Sequence, residues 1–195
     1  MKTLLTGIAL SFVLARACMA DFSPGSPQPE RFRFDSLDRG QIEIALCAAH
    51  GESHRIPAIV TDRAVFDMFR LRLGRFISPR LELAGEVALA RQSGHTDNHG
   101  WSAIGSIRRY ISVRGSTAIA WDFSIGVTGF DRRLTSQATR VNFTEQIGIA
   151  VQYGAGPRSA ITLEYKFSHN SNAGLRMPNL GMNASIFGLG WSWYP

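Results

Sequence analysis

Ile119-Ala120-Trp121-Asp122-Phe123-Ser124-Ile125-Gly126-Val127-Thr128 is the stretch that decides the fold. Each odd-numbered residue is bulky and apolar; each even-numbered one is small or polar. Side chains two apart share one face of a strand, so this segment reads as a β-strand with one apolar and one polar face. The same period of two recurs on both sides. Upstream, Ile42, Ile44, Leu46 and Ala48 alternate with Gln41, Glu43, Ala45 and Cys47; Phe69, Leu71 and Leu73 alternate with Arg70, Arg72 and Gly74; Leu81, Leu83, Val87 and Leu89 alternate with Glu82, Ala84, Glu86 and Ala88. Downstream, Val141, Phe143, Ile147, Ile149 and Val151 alternate with polar or small residues, as do Leu163, Tyr165 and Phe167, and then Phe187, Leu189, Trp191 and Trp193.

Eight strands follow, over about 41–51, 64–77, 79–92, 100–113, 116–131, 140–153, 159–171 and 182–194. Each exceeds the usual strand of about 5–6 residues and reaches the roughly 9–11 that cross a bilayer at a tilt. Trp101–Val113 is the mixed member, because Arg108 and Arg109 fall on opposite faces. Turn signals at Ser78-Pro79, Gly94 to Gly100, Arg114-Gly115 and Gly154 to Ser159 separate consecutive strands. The expectation is an all-β fold, an eight-stranded antiparallel up-and-down transmembrane β-barrel.

The 195 residues, 45% hydrophobic and 18% charged, suit one domain and exclude a disordered chain. Two cysteines, Cys18 and Cys47, exclude a disulfide scaffold and a cysteine-based zinc cluster. Positive charges outnumber negative by 21 to 15, but they are scattered, so no nucleic-acid partner is expected. Residues 1–20 read as a signal peptide: Met1-Lys2-Thr3, an apolar run from Leu4 to Ala15, and Cys18-Met19-Ala20 before the cut. A lipoprotein anchored through Cys18 is the variant reading, which Arg16 fits poorly. Cleavage after Ala20 leaves Cys47 as the one thiol, and nineteen positive against fifteen negative charges. Residues 21–40, with Pro24, Gly25, Pro27 and Pro29, read as a linker or loosely attached N-terminal arm, and 41–195 as the barrel domain.

Alternation does not say which face looks inward. A soluble barrel, such as a periplasmic lipid carrier, would line its lumen with the apolar face; a membrane barrel turns that face to lipid. The polar face mixes both signs, with Arg70, Arg72, Glu82, Glu86, Asp122, Glu164 and Lys166, and the chain has only two lysines to solvate an exterior. Trp101, Tyr153, Trp191, Trp193 and Tyr194 lie near strand ends, as interfacial girdles do. Both features favour the membrane. Side chains fill an eight-stranded lumen, so a general pore is excluded and any chemistry sits on the wall or in the loops.

One such candidate lies on the seventh strand. His169 and Ser171 share the apolar face with Leu163, Tyr165 and Phe167. A serine hydroxyl becomes a nucleophile when a base takes its proton, and histidine is the usual base; a polar strand end at the headgroups is the bland alternative. Residues 169–183 read His-Asn-Ser-Asn-Ala-Gly-Leu-Arg-Met-Pro-Asn-Leu-Gly-Met-Asn. Through His169, Ser171-Asn172-Ala173-Gly174 and Pro178-Asn179-x-Gly181, this string resembles the signature of PagL-type lipid A 3-O-deacylases, outer-membrane hydrolases of acyl esters. The resemblance implies a serine esterase in the bacterial outer membrane that removes an ester-linked acyl chain from the lipid A of lipopolysaccharide, at the 3-O position. Ser171 would be its nucleophile, His169 its general base and Asn172 an oxyanion donor.

The chain departs from the family pattern at Asn183, where the pattern has the glutamate of a Ser-His-Glu triad. Glu145, on the apolar face of the sixth strand, is the possible substitute. A hairpin around Ala155–Arg158 sets Glu145 opposite His169, or opposite Phe167 one diagonal away. A charge facing lipid is expensive and usually functional; the alternative is that Glu145 only meets headgroups or a neighbouring arginine. The two readings of the third site residue, Asn183 and Glu145, stay open here, as does a non-catalytic barrel with a degenerate site.

Other signals are weaker. His50-x-x-x-His54 and His95-x-x-x-His99 lie at strand ends or in loops without the further ligands a metal needs, so no metal or cofactor is expected. Arg132, Arg133 and Arg176 are placed to meet lipid A phosphates. The expected partners are lipid A and the outer membrane, with a homodimer left open.

Overall fold

The computed structural model describes residues 30–54, 64–94, 97–134 and 137–195; the export signal, Cys18, the prolines up to Pro29, and His95 lie outside the described residues. Eight strands are seen: β1 (Ile42–His54), β2 (Ala64–Ser78), β3 (Leu81–Gly94), β4 (Asn98–Arg114), β5 (Thr117–Phe130), β6 (Val141–Gly156), β7 (Ser159–Ser171) and β8 (Met182–Trp193). Each pairs antiparallel with its sequence neighbour, and β1 closes on β8. The chain is a closed up-and-down barrel.

Burial settles the orientation that alternation leaves open. Leu46, Phe69, Leu73, Val87, Leu89, Ile125, Ile147, Leu163 and Phe187 are exposed on the outside. Glu43, Arg72, Glu82, Glu86, Arg108, Asp122 and Lys166 are buried within. This is the inside-out pattern of a membrane barrel. The lumen is filled by an ionic network. Arg72 reaches Glu43 at 3.1 Å, Glu82 at 3.0 Å and Glu86 at 2.6 Å; Arg108 reaches Asp122 at 3.1 Å and Glu43 at 3.3 Å; Lys166 lies 3.3 Å from Glu86, and Arg70 pairs with Glu164. Buried charges persist only when paired in this way. The mixed signature of β4 is also explained. Arg108 enters the network while Arg109 points out near the β4–β5 turn, just before the ladder shifts between Tyr110 and Ser112.

Strands β2–β3, β4–β5 and β6–β7 are joined by two-residue turns, whereas the other hairpins carry longer connections. Outer-membrane barrels keep short turns on the periplasmic side and long loops outside. The end bearing 172–181 is therefore extracellular.

The periplasmic end departs from expectation at residues 31–40, which are not a loose arm. Phe32 N–H donates to Gly156 O at 2.6 Å and Phe34 N–H to Gly115 O at 2.8 Å, so this segment is tied to two of the short turns. Phe34–Ser36 forms a 3-10 turn, and Phe32, Phe34 and Leu37 pack with Phe76, Tyr110 and Tyr194 to cork the barrel. A side chain on Gly154 would collide with the backbone of Phe32. Tyr194 is likewise no girdle residue. It lies inside, stacked on Phe32 with ring centres 4.1 Å apart, and its hydroxyl donates to Glu43 at 3.1 Å. Trp101, Tyr153, Trp191 and Trp193 do face outward.

Candidate active site

The site forms where the last residues of β7 meet β6 and β8 at the extracellular rim. Across the outer face Glu145 pairs with His169, and His169 with Asn183. Directly paired side chains stand roughly 4.5–5.5 Å apart at Cβ, so the imidazole has a carboxylate on one side and a carboxamide on the other. Its bond is to the carboxamide: His169 Nδ1 lies 2.7 Å from Asn183 Oδ1. A carboxamide oxygen only accepts, so Nδ1 carries the proton and Nε2 presents a lone pair. Glu145 is exposed, and its carboxylate forms no hydrogen bond among the described residues. Ser171, half-buried, is two residues on from His169 on the same face, at the end of β7 and opposite Phe143.

The backbone after Ser171 leaves the sheet through a loop built around Asn172, which is 1% exposed. Its Nδ2 donates to Arg176 O at 2.6 Å, its Oδ1 accepts from Gly174 N–H at 3.0 Å, and its own N–H reaches Asn179 Oδ1 at 3.0 Å and Gln137 Oε1 at 3.2 Å. The carboxamide expected to hold an oxyanion is thus engaged in folding the loop. Asn179, which the sequence marked only as part of a motif, is bonded to the residue that follows Ser171. Its oxygen is anchored on Asn172 N–H, and its amino group forms no hydrogen bond among the described residues. Gln137 was not foreseen at all. It forms a bridge to Asn179 from the β5–β6 connection, and Ala138 N–H donates to Pro178 O at 2.9 Å. Only the three-dimensional loop reveals these two partners.

Gly181 has a positive φ of 69°, and a Cβ there would lie 2.9 Å from His169 Cε1. At this φ an L side chain is strained, and an added methyl would press on the ring. Of the other histidines, His50 Nδ1 lies 2.9 Å from Asp67 Oδ1 and His54 Nε2 lies 2.7 Å from Ser185 Oγ. Arg132, Arg133 and Arg176 lie in the extracellular connections, with Arg176 exposed in the 172–181 loop.

Among solved structures, the chain is similar to Neisserial surface protein A, at 13% identity over 78% of this chain and 96% of that one with a TM-score of 0.63. The outer membrane enzyme PagL aligns at 20% identity over 75% of this chain and 97% of that one, with a TM-score of 0.53. The outer membrane protein OprG from Pseudomonas aeruginosa aligns at 6% identity over 81% and 97%, with a TM-score of 0.51. At such identities the likeness is one of fold. No curated protein sequence matches. The sequence model described as Lipid A 3-O-deacylase (PagL) matches residues 67–192, which span the site and seven of the eight strands. The chain therefore belongs to the PagL family of lipid A 3-O-deacylases, and it is a β-barrel of the bacterial outer membrane.

Proposed function

We propose that the protein is a serine esterase that removes the 3-O-linked acyl chain of lipid A, with Ser171 as nucleophile and His169 as general base. The bond from His169 Nδ1 to Asn183 Oδ1 carries this reading, because it turns the basic Nε2 free on the face that also holds Ser171. Nε2 takes the Ser171 proton as Oγ attacks the ester carbonyl. The tetrahedral oxyanion collapses and expels the sugar oxygen, which takes the proton back from the imidazolium. Water, deprotonated by the same nitrogen, then releases the fatty acid and restores Ser171.

Asn183 orients the imidazole, and Glu145 supplies the negative charge that Asn183 lacks, from the opposite strand. Asn172 shapes the loop, and the Asn179 amino group, which has no hydrogen-bond partner among the described residues, is the donor for the oxyanion. Placement on the lipid-facing wall suits a substrate whose acyl chains already lie in the bilayer. The exposed Arg176 supports contact with the phosphates of lipid A.

The test is mass spectrometry of lipid A from a lipopolysaccharide-bearing host expressing the protein. Loss of one ester-linked chain, abolished by Ser171→Ala and by His169→Ala in barrels that still fold, is the expected result. Unchanged acylation with the native chain would sink the proposal and leave a non-catalytic barrel.

A further inference from the structure

Below the catalytic rim the lipid-facing wall of β6, β7 and β8 is apolar, with Ile147, Phe167, Leu163 and Phe187 exposed. Ser185 interrupts it. Both neighbouring strands reach its hydroxyl: His54 Nε2 from β1 lies 2.7 Å from Ser185 Oγ, and Tyr165 OH from β7 lies 2.9 Å from it. Aromatic rings flank the trio, with Phe167 parallel to His54 at 6.4 Å and Phe187 against Tyr165 at 5.0 Å.

The barrel geometry sets the depth of this cluster. Paired residues lead from His54 through Asn183, His169, Glu145, Ile125, Gly105, Gly85 and Leu73 back to Ile44, far below His54 on the same strand. A row of paired residues therefore climbs from β6 toward β1, as strand tilt requires. Ser185 pairs with Phe167, two residues below His169, but sits one strand up this slope. The two effects oppose, and Ser185 ends near the depth of His169, displaced sideways along the membrane surface.

The hydrogen-bonding inventory shows what such a cluster can take. If Tyr165 donates to Ser185 and Ser185 to His54, the tyrosine oxygen keeps acceptor capacity. If the chain runs the other way, the tyrosine O–H is left to donate. In both directions the trio offers a polar contact to the lipid phase, where hydrocarbon can satisfy none. Acyl chains carry hydrogen-bonding groups only at their roots, at the depth of the ester being cut.

We infer that His54, Ser185 and Tyr165 form a recognition site for a hydrogen-bonding group, a hydroxyl or an amide, at the root of the acyl chain next to the one cleaved. This rests on the reading of Ser171 as nucleophile, which fixes where the cleaved ester lies. The site would select lipids in which the neighbouring chain is hydroxylated or amide-linked over those in which it is a plain ester.

The experiment measures binding separately from chemistry. The full-length Ser171→Ala protein in micelles is titrated with three diacyl glucosamine lipids whose 2-linked chain is a hydroxyacyl amide, a plain amide or a plain ester. Tighter binding of an amide or hydroxyacyl lipid than of the plain ester, by about tenfold or more, is expected for one buried hydrogen bond. The preference should vanish on adding Ser185→Ala, and on adding Tyr165→Phe, which keeps the ring. The pair of lipids that loses its difference tells hydroxyl from amide. Equal binding of all three lipids, or a preference that survives both substitutions, overturns the inference. A preference that obeys it, in a protein whose native form hydrolyses none of the lipids, overturns the catalytic reading alone.

Discussion

His169 donates a 2.7 Å hydrogen bond from Nδ1 to Asn183 Oδ1, across the β7–β8 pair. On its other flank the paired residue is Glu145. A third triad member has two tasks, to hold the imidazole in its tautomer and to stabilise the imidazolium. A carboxamide does the first without a charge. In the proposed mechanism the carboxylate on β6 does the second through space, from the position paired with His169 on the outer face.

This division makes the two residues interdependent. Glu145→Gln in the native chain is expected to lower kcat about 10- to 100-fold, less than the roughly 10⁴-fold cost of losing a hydrogen-bonded triad carboxylate, because Glu145 acts through space. Asn183→Glu returns the charge to the bonded position and should raise kcat. In that background Glu145→Gln should cost at most about threefold, because residues serving one function are not additive. Equal losses in both backgrounds, measured on a soluble ester, would remove Glu145 from the mechanism.

Gly181→Ala tests the packing beneath the imidazole. The residue adopts φ of 69°, and the added methyl would meet His169 Cε1 at 2.9 Å. The ring must tilt, and small misplacements of a base are costly. Turnover should fall about 100-fold. The barrel should still migrate as a folded species in unheated gel samples, since the strain is confined to the rim.

The strands and the facing of Glu145 to His169 were legible in the sequence for the same reason. Alternation fixes which face each residue occupies, and the tight turn at Pro157-Arg158 leaves few registers for the β6–β7 hairpin. The cork at 31–40 was not legible. Its Phe32, Phe34 and Leu37 lie in a short segment without sustained period, after a run of prolines, and their partner Tyr194 closes the other end of the chain. The Asn172 loop was hidden for a related reason. Four of its contacts are to backbone atoms or to Gln137 and Asn179, a geometry that no spacing encodes.

The lumen network should hold stability rather than chemistry. Arg72→Met removes the shared partner of Glu43, Glu82 and Glu86. Glu43 keeps Arg108 and Glu86 keeps Lys166, but Glu82 loses its ion-pair partner, and leaving a buried charge uncompensated costs about 3–5 kcal/mol. Urea unfolding followed by tryptophan fluorescence should show that loss, while ester turnover of the folded fraction stays within about twofold because the network lies on the opposite side of the wall from His169. A large fall in turnover at unchanged stability would instead tie the lumen to the site.

Phe34→Ala asks whether the cork is part of the folded barrel or an appendage. The side chain is 1% exposed, packs against Tyr110 and Tyr194, and its N–H is bonded to Gly115 O at 2.8 Å. Truncating a buried phenylalanine costs about 3–5 kcal/mol when the cavity cannot collapse, and strand backbones around a closed barrel mouth have little freedom to do so. A segment that merely rests on the rim would lose almost nothing on the same change. The expected outcome is a lowered urea midpoint with an unchanged denaturant slope, which marks lost stability rather than altered compactness. Tyr194→Phe distinguishes the ring from the hydroxyl. It keeps the stack on Phe32 but removes the bond to Glu43, so it should destabilise by about 1.5–3 kcal/mol, the value of a hydrogen bond to a charged acceptor. If Phe34→Ala left the midpoint where it was, residues 31–40 would be the loose arm that their sequence suggests.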